Sequence, residues 1–247
     1  MLVLAIDTSG REGSLALAHA ELAPSPEPGG PAILQKFDLL ELVALTGRMY
    51  SAELIPQLSA ALACQRLDKH ALGALVASSG PGSFTGLRVG LSTVKALAEA
   101  LRKPIAAVSA LEVTARMAQQ PGCVVAVLDA GRSQVFVGEY DFRSDYAIVS
   151  SRQSLLGLEH WLESASSAAQ RREGRPPSCV TPDREVAAAA AARGLPVQLI
   201  SAPKADLHAR VGLEKILRGE TVSPEQLEPD YIRASDAELF SLPKLSQ

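Results

Sequence analysis

Gly80-Pro81-Gly82-Ser83-Phe84-Thr85-Gly86-Leu87-Arg88-Val89-Gly90 packs four glycines and a proline into eleven residues, between an apolar run and a helical pattern. Glycine belongs where backbone must bend tightly or approach another backbone closely. Two readings compete: a loop that cradles phosphate, and the launch of a helix that packs unusually close to something. A P-loop needs Lys-Ser/Thr after its last glycine, and here Leu87-Arg88 follows Gly86. Gly80, Gly82 and Gly86 do not fit G-x-G-x-x-G either. Helix N-termini attract anions generically, which keeps the phosphate reading as the weaker one. The helix reading has more support. Ser83 and Thr85 are N-cap residue types. Leu87, Leu91, Val94, Ala98 and Leu101 then recur at steps of four and three, one apolar stripe of a helix over Thr85 to Arg102. Gly86, Gly90, Thr93 and Leu97 form a neighbouring face that is small at its start. That face packs either on the protein's own core or on a partner, and spacing alone leaves both open.

Working outward, Ala74 to Ala77 is a short strand feeding the motif and Ile105 to Val108 another after it. Leu2 to Ile6 is a continuous apolar run, hence a buried strand, with Ser14 to His19 and Ile33 to Leu40 as further strands. The proline- and glycine-rich stretch Pro24 to Pro31 between them reads as an exposed hairpin loop. Leu54, Leu58 and Leu62 place a helix over Ser51 to Leu67, with Pro56 near its start. Ser109 and Glu112 form a capping box that opens a helix to about Gln119. Val124 to Leu128 and Val135 to Phe142 are strands; helices are expected near Leu155 to Ala169, Asp183 to Arg193 and Ala205 to Arg218. Alternating strands and helices indicate an α/β protein.

The layout contains a duplication. Leu2-Val3-Leu4-Ala5-Ile6-Asp7-Thr8-Ser9-Gly10 resembles Val124-Val125-Ala126-Val127-Leu128-Asp129-Ala130-Gly131, an apolar strand ending in Asp and then small residues. The two aspartates stand about half of the 247-residue chain apart. Asp also simply terminates strands, but a matched pair resembles the two-lobed plan of the actin and sugar-kinase superfamily, in which such turns hold the phosphates and metal of ATP. The expected fold is therefore α/β, a two-lobed actin-like ATPase (ribonuclease H-like) fold with a mixed sheet flanked by helices in each lobe. The expected division is residues 1–108, 109–228 and a tail 229–247 whose Tyr231 and Arg233 either pin it back onto the first lobe or serve a partner.

Hydrophobic residues make up 47% of the chain and aromatics only 4%, so a sizeable core must be built from aliphatic side chains. A net charge of −3 argues against a large basic nucleic-acid surface as a property of this chain alone, without excluding nucleic acid bound through a partner. Cys64, Cys123 and Cys179 form no C-x-x-C pair and read as reduced thiols. The short run before Asp7 is no signal segment and no stretch approaches a membrane span, so a cytoplasmic protein is expected.

Together Leu4-Ala5-Ile6-Asp7-Thr8-Ser9, the Gly80 to Gly90 motif, Val127-Leu128-Asp129-Ala130 and Pro229-Asp230-Tyr231-Ile232-Arg233 resemble the TsaB (YeaZ) family over nearly the whole length and in order. The glycine motif is the specific part. The resemblance implies a non-catalytic subunit of the machinery that makes threonylcarbamoyladenosine beside the tRNA anticodon. It implies a TsaD-like catalytic paralogue and a TsaE-like ATPase as partners, tRNA met indirectly, and a homodimer when the chain is alone. It also implies a four-helix interface, carried here by the helices near Ser51 to Leu67 and Thr85 to Arg102. The expected contact residues are Leu54, Leu58, Leu62, Gly82, Ser83, Phe84, Thr85, Gly86, Arg88 and Gly90. Many relatives have His near the start of the first helix, where this chain has Tyr50, and Asp-Ala-Arg where it has Asp129-Ala130-Gly131-Arg132.

Asp7, Thr8 and Ser9, with Asp129 and Arg132, are the candidate remnants of a nucleotide cleft. The superfamily's late glycine-rich adenosine turn has no glycine in Cys179-Val180-Thr181-Pro182-Asp183, so the cleft is expected to be degenerate. No tightly bound cofactor is expected, with ATP or ADP only at a complex interface. A metallopeptidase of the M22 type would need H-x-x-x-H, and His19, His70, His160 and His208 are all isolated, so no metal site and no catalytic residue are assigned. An autonomous ATP-dependent transferase or kinase is the alternative from a different class.

Overall fold

The computed structural model describes residues 1–27, 29–46, 49–144, 147–171, 177–230 and 232. The chain divides into two units, Met1–Val113 with Pro203–Pro229, and a second built on Thr114–Ala202.

The first unit opens with β1 (Leu2–Asp7), β2 (Gly13–Ala23) and β3 (Ile33–Leu45), followed by α1 (Tyr50–Cys64), β4 (Leu72–Gly80), α2 (Phe84–Leu101), β5 (Ile105–Ser109) and α3 (Ala110–Arg116). The sheet order is β3-β2-β1-β4-β5. β1–β2 and β2–β3 pair antiparallel, β1–β4 and β4–β5 parallel. β1 is apolar throughout because both its faces are covered: Leu4 and Ile6 pack with α1 and α2, Val3 and Ala5 in the cluster on the other face.

The second unit repeats this plan. β6 (Gly122–Gly131), β7 (Gln134–Phe142) and β8 (Ile148–Gly157) are followed by α4 (Leu158–Arg171), β9 (Ser178–Thr181), α5 (Arg184–Ala192) and β10 (Val197–Leu199), in the order β10-β9-β6-β7-β8. Again the first three strands pair antiparallel and the last two join parallel. Asp7 and Asp129 sit at the same place in the two sheets, the end of the central strand. The duplication seen in the sequence is therefore a duplication of topology.

Three expectations change. Residues 203–229, assigned above to the second lobe, return to the first unit, and the first unit runs to Val113 rather than 108. The reason is α6 (Ala205–Leu217), which lays Ala205, Ala209 and Leu213 on the first sheet and sets Gly212 against Val76, where a Cβ would collide. The expected helix start at Leu155 is corrected to Leu158, since Leu155 pairs with Phe136 in β8. Strands β8, β9 and β10 were absent from the sequence reading. The Pro24 to Pro31 stretch does link two hairpin strands. The expected packing of the tail through Tyr231 and Arg233 lies outside the described residues. Among the described residues no helix is long and apolar enough to cross a membrane.

Candidate functional site

The first unit gathers the β1–β2 turn, the start of α1 and the glycine motif into one tight assembly. The Asp7 carboxylate accepts from both the hydroxyl (2.6 Å) and the N–H (3.0 Å) of Ser9. The Thr8 hydroxyl donates to the Gly86 carbonyl at 2.8 Å. The Ser83 N–H donates to the Ser9 carbonyl at 2.7 Å. Asp7, Thr8 and Ser9 are all buried. Ser83 is the N-cap of α2, its hydroxyl accepting from the Gly86 N–H at 3.3 Å; of the two N-cap candidates, Thr85 lies inside the helix.

The glycines explain how the assembly closes. A Cβ at Gly82 would fall on the Ser9 carbonyl, one at Gly86 on the Thr8 carbonyl, and one at Gly90 on the Thr8 hydroxyl. Tyr50 completes the lock. Its hydroxyl donates to the Gly10 carbonyl at 3.1 Å and its ring fills the space beside Gly13 and Gly86. Burial pushes the Tyr50 phenol up to about 12, helped by the negative charges of Asp7, Glu12 and Glu53. The small face of α2 thus packs on the chain's own first turn, which decides between the two readings that spacing left open. Gly86 and Gly90, both buried, are corrected accordingly: they hold this turn and not an outer contact, whereas Gly82 is exposed beside Ser83.

The leucines of α1 are corrected for a similar reason. Leu54, Leu58 and Leu62 are 1%, 5% and 8% exposed and belong to the core of the first unit. The stripe that reveals the helix is the stripe that faces inward. Outward on these two helices stand Ile55, 51% exposed, and Phe84, 38% exposed, with Met49 at the cap of α1. Ser83, Thr85 and Arg88 are exposed as well. The Arg88 guanidinium lies 3.9 Å from the centre of the Phe84 ring. Ile55 was missed in the sequence; its position one residue after Leu54 puts it off the inner stripe.

In the second unit the Asp129 carboxylate accepts from the Gly131 N–H at 2.9 Å, and Gly131, Arg132 and Ser133 all have left-handed backbone. Arg132 is exposed. The Asp129 N–H donates to the Asp183 carboxylate at 2.7 Å. Asp183 caps α5, at the place where the superfamily's adenosine turn was sought. Cys179, in β9, is pushed up to about 12 by burial. Among the described residues one His/Asp/Glu group has its ligating atoms within 4.8 Å of one another: His19, Glu21 and Asp38. His19 faces Asp38 across the β2–β3 register, a juxtaposition invisible without it. The Lys36 ammonium already sits 2.7 Å from Asp38, and the group is mostly exposed.

A family model described as TsaD: tRNA N6-adenosine threonylcarbamoyltransferase matches residues 44–176. The chain is 29% identical to the tRNA threonylcarbamoyladenosine biosynthesis protein TsaB of Bacillus subtilis over 164 residues. The chain belongs to the family of that model. That alignment covers 66% of this chain and 65% of the Bacillus relative. An uncharacterized protein of Mycobacterium tuberculosis is 35% identical, with 44% of this chain and 52% of its own length aligned. The chain thus spans less than two thirds of each of these two relatives. TsaB of Escherichia coli is 26% identical over 94% of this chain and 95% of its own length. The solved structure of YeaZ from Pseudomonas aeruginosa superposes with a TM-score of 0.66 at 23% identity, covering 93% of this chain and 100% of that one. The shared fold is two mixed five-stranded sheets flanked by helices.

Proposed function

We propose that this chain is a non-catalytic, activating subunit in the formation of threonylcarbamoyladenosine in tRNA, docking a TsaD-like catalytic paralogue. TsaB-named relatives support the pathway. The observation that carries the docking role is the exposed apolar pair Ile55 and Phe84 on α1 and α2, flanked by Ser83, Thr85 and Arg88. Single exposed apolar residues are ordinary, but two on adjacent helices of one layer form the centre of a contact. The same face serves a homodimer in the absence of the paralogue. A TsaE-like ATPase joins the assembly.

The turns support the non-catalytic reading. In the first unit the Thr8 and Ser9 hydroxyls donate to internal acceptors, the Gly86 carbonyl and the Asp7 carboxylate, and so are not turned to a ligand. In the second, the Asp129 N–H is given to the Asp183 carboxylate and not to a ligand. ATP or ADP would then bind only at the interface of the complex. Substituting Ile55→Glu together with Phe84→Glu should abolish co-purification with the paralogue while leaving the melting temperature unchanged. Undiminished capture of the paralogue by that variant would sink the docking role.

A further inference from the structure

The parallel strands β1, β4 and β5 begin at one edge of the first sheet, and α1 and α2 run back against them to end there. The Pro104 carbonyl accepts from the Leu75 N–H at 3.0 Å, which fixes the end of the α2 segment beside β4. A 3-10 turn, Lys69–Ala71, leads directly into β4. This edge therefore collects Arg66, Lys69 and His70 from one connection and Arg102 and Lys103 from the other. All but the half-buried Lys103 are exposed, and the four cations have no ion pair with any described carboxylate. The acidic residue in the two connections is Asp68, whose carboxylate caps the 3-10 turn at the His70 N–H (2.8 Å); Glu99 stands in the last turn of α2.

Both helices end in the same way. Arg66 and Arg102 adopt left-handed backbone, φ 54° and 52°. The next N–H in each case reaches back five residues, Leu67 to the Leu62 carbonyl at 2.8 Å and Lys103 to the Ala98 carbonyl at 3.2 Å. That is the Schellman ending, whose left-handed position favours glycine. The C-terminal dipoles of the helices account for positive charge nearby. They do not account for arginine, twice, at the one backbone position where glycine would be easier.

We infer that this basic edge of the first sheet, centred on Arg66 and Arg102, contacts the phosphate backbone of RNA directly. The inference rests on the reading that the chain works on tRNA and goes beyond it, because that reading needs tRNA to meet only the catalytic partner. Charge complementarity favours a polyanion, and the chain's net charge of −3 makes the concentration of cations here local rather than general. Guanidinium forks suit phosphate oxygens. With so few cations the contact reads shape and charge rather than sequence.

The test is fluorescence anisotropy of a labelled, unmodified tRNA transcript titrated with the full chain from about 50 to 300 mM salt, comparing wild type with Arg66→Gly/Arg102→Gly. Glycine relieves the left-handed backbone at both sites, so the variant should melt no lower than wild type. Wild type should bind in roughly the micromolar range at low salt. The double variant should bind about tenfold or more weakly, with a log–log salt slope shallower by about two. Equal affinity of the two proteins, no wild-type binding at the lowest salt, or equally tight binding of a labelled polyglutamate would overturn the proposal. If wild type still captures the paralogue while failing to bind tRNA, this inference falls and the docking role stands.

Discussion

At Gly90 a Cβ would land on the Thr8 hydroxyl oxygen, and at Gly86 on the Thr8 carbonyl. Backbone carbonyls on a central strand's turn cannot move aside, so Gly86→Val should destabilise the folded chain by about 1–3 kcal/mol, an overpacking cost read by urea denaturation. A variant that folds as stably as wild type would contradict the packing described. The glycine spacing was legible as close approach, but not the surface approached; a helix face is visible in a sequence, its neighbour is not. Tyr50 was legible only as a departure from the family's histidine. Its role needs the fold, because the β1–β2 turn meets its hydroxyl at Gly10 and its ring at Gly13, and the start of α2 meets the ring at Gly86. Burial pushes the phenol up to about 12 in the folded chain, above the ordinary phenol value of about 10. Since the folded value is the higher, its contribution to stability is complete below pH ~10 and is lost as pH rises toward ~12. Denaturation midpoints across that window should fall more steeply for wild type than for Tyr50→Phe. Parallel curves would remove Tyr50 from the lock.

At the scale of elements, α1 separates two kinds of residue that periodicity treats alike. Leu58→Ala empties a site in the core of the first unit and should cost about 2–5 kcal/mol. Ile55→Glu, on the open side, should stay within about 0.5 kcal/mol of wild type. Thermal melts of the two variants check this, and a stable Leu58→Ala with an unstable Ile55→Glu would invert the helix. The apolar stripe made α1 and α2 legible and also misdirected the choice of contact residues, because a stripe dense enough to be noticed is dense enough to be core. The strands missed were those with little period to see. β8 is mostly polar and exposed along Val149 to Arg152, and β9 and β10 are only 4 and 3 residues long. β1 and β6 were read correctly because strands covered on both faces are continuous apolar runs.

At the scale of the molecule, two units of one topology follow from the paired strand–Asp turns, whereas the return of α6 to the first unit had no sequence signal. Its amphipathic pattern says that Ala205, Ala209 and Leu213 are covered, not by which sheet. The two turns also bear on chemistry. One is closed by its own hydroxyls and by three glycines, and in the other the Asp129 N–H donates to the Asp183 carboxylate. The most direct measurement is reconstituted threonylcarbamoyl transfer to an unmodified tRNA by the purified TsaD-like paralogue, with its activated substrate and a TsaE-like ATPase supplied. The assay is run with the paralogue alone, with this chain alone, with both, and with the Ile55→Glu/Phe84→Glu variant in place of wild type. The expected result is transfer only when paralogue and wild-type chain are present together, lost in the variant. Transfer by this chain without the paralogue, or full activity of the paralogue without this chain, would contradict the role of activating subunit.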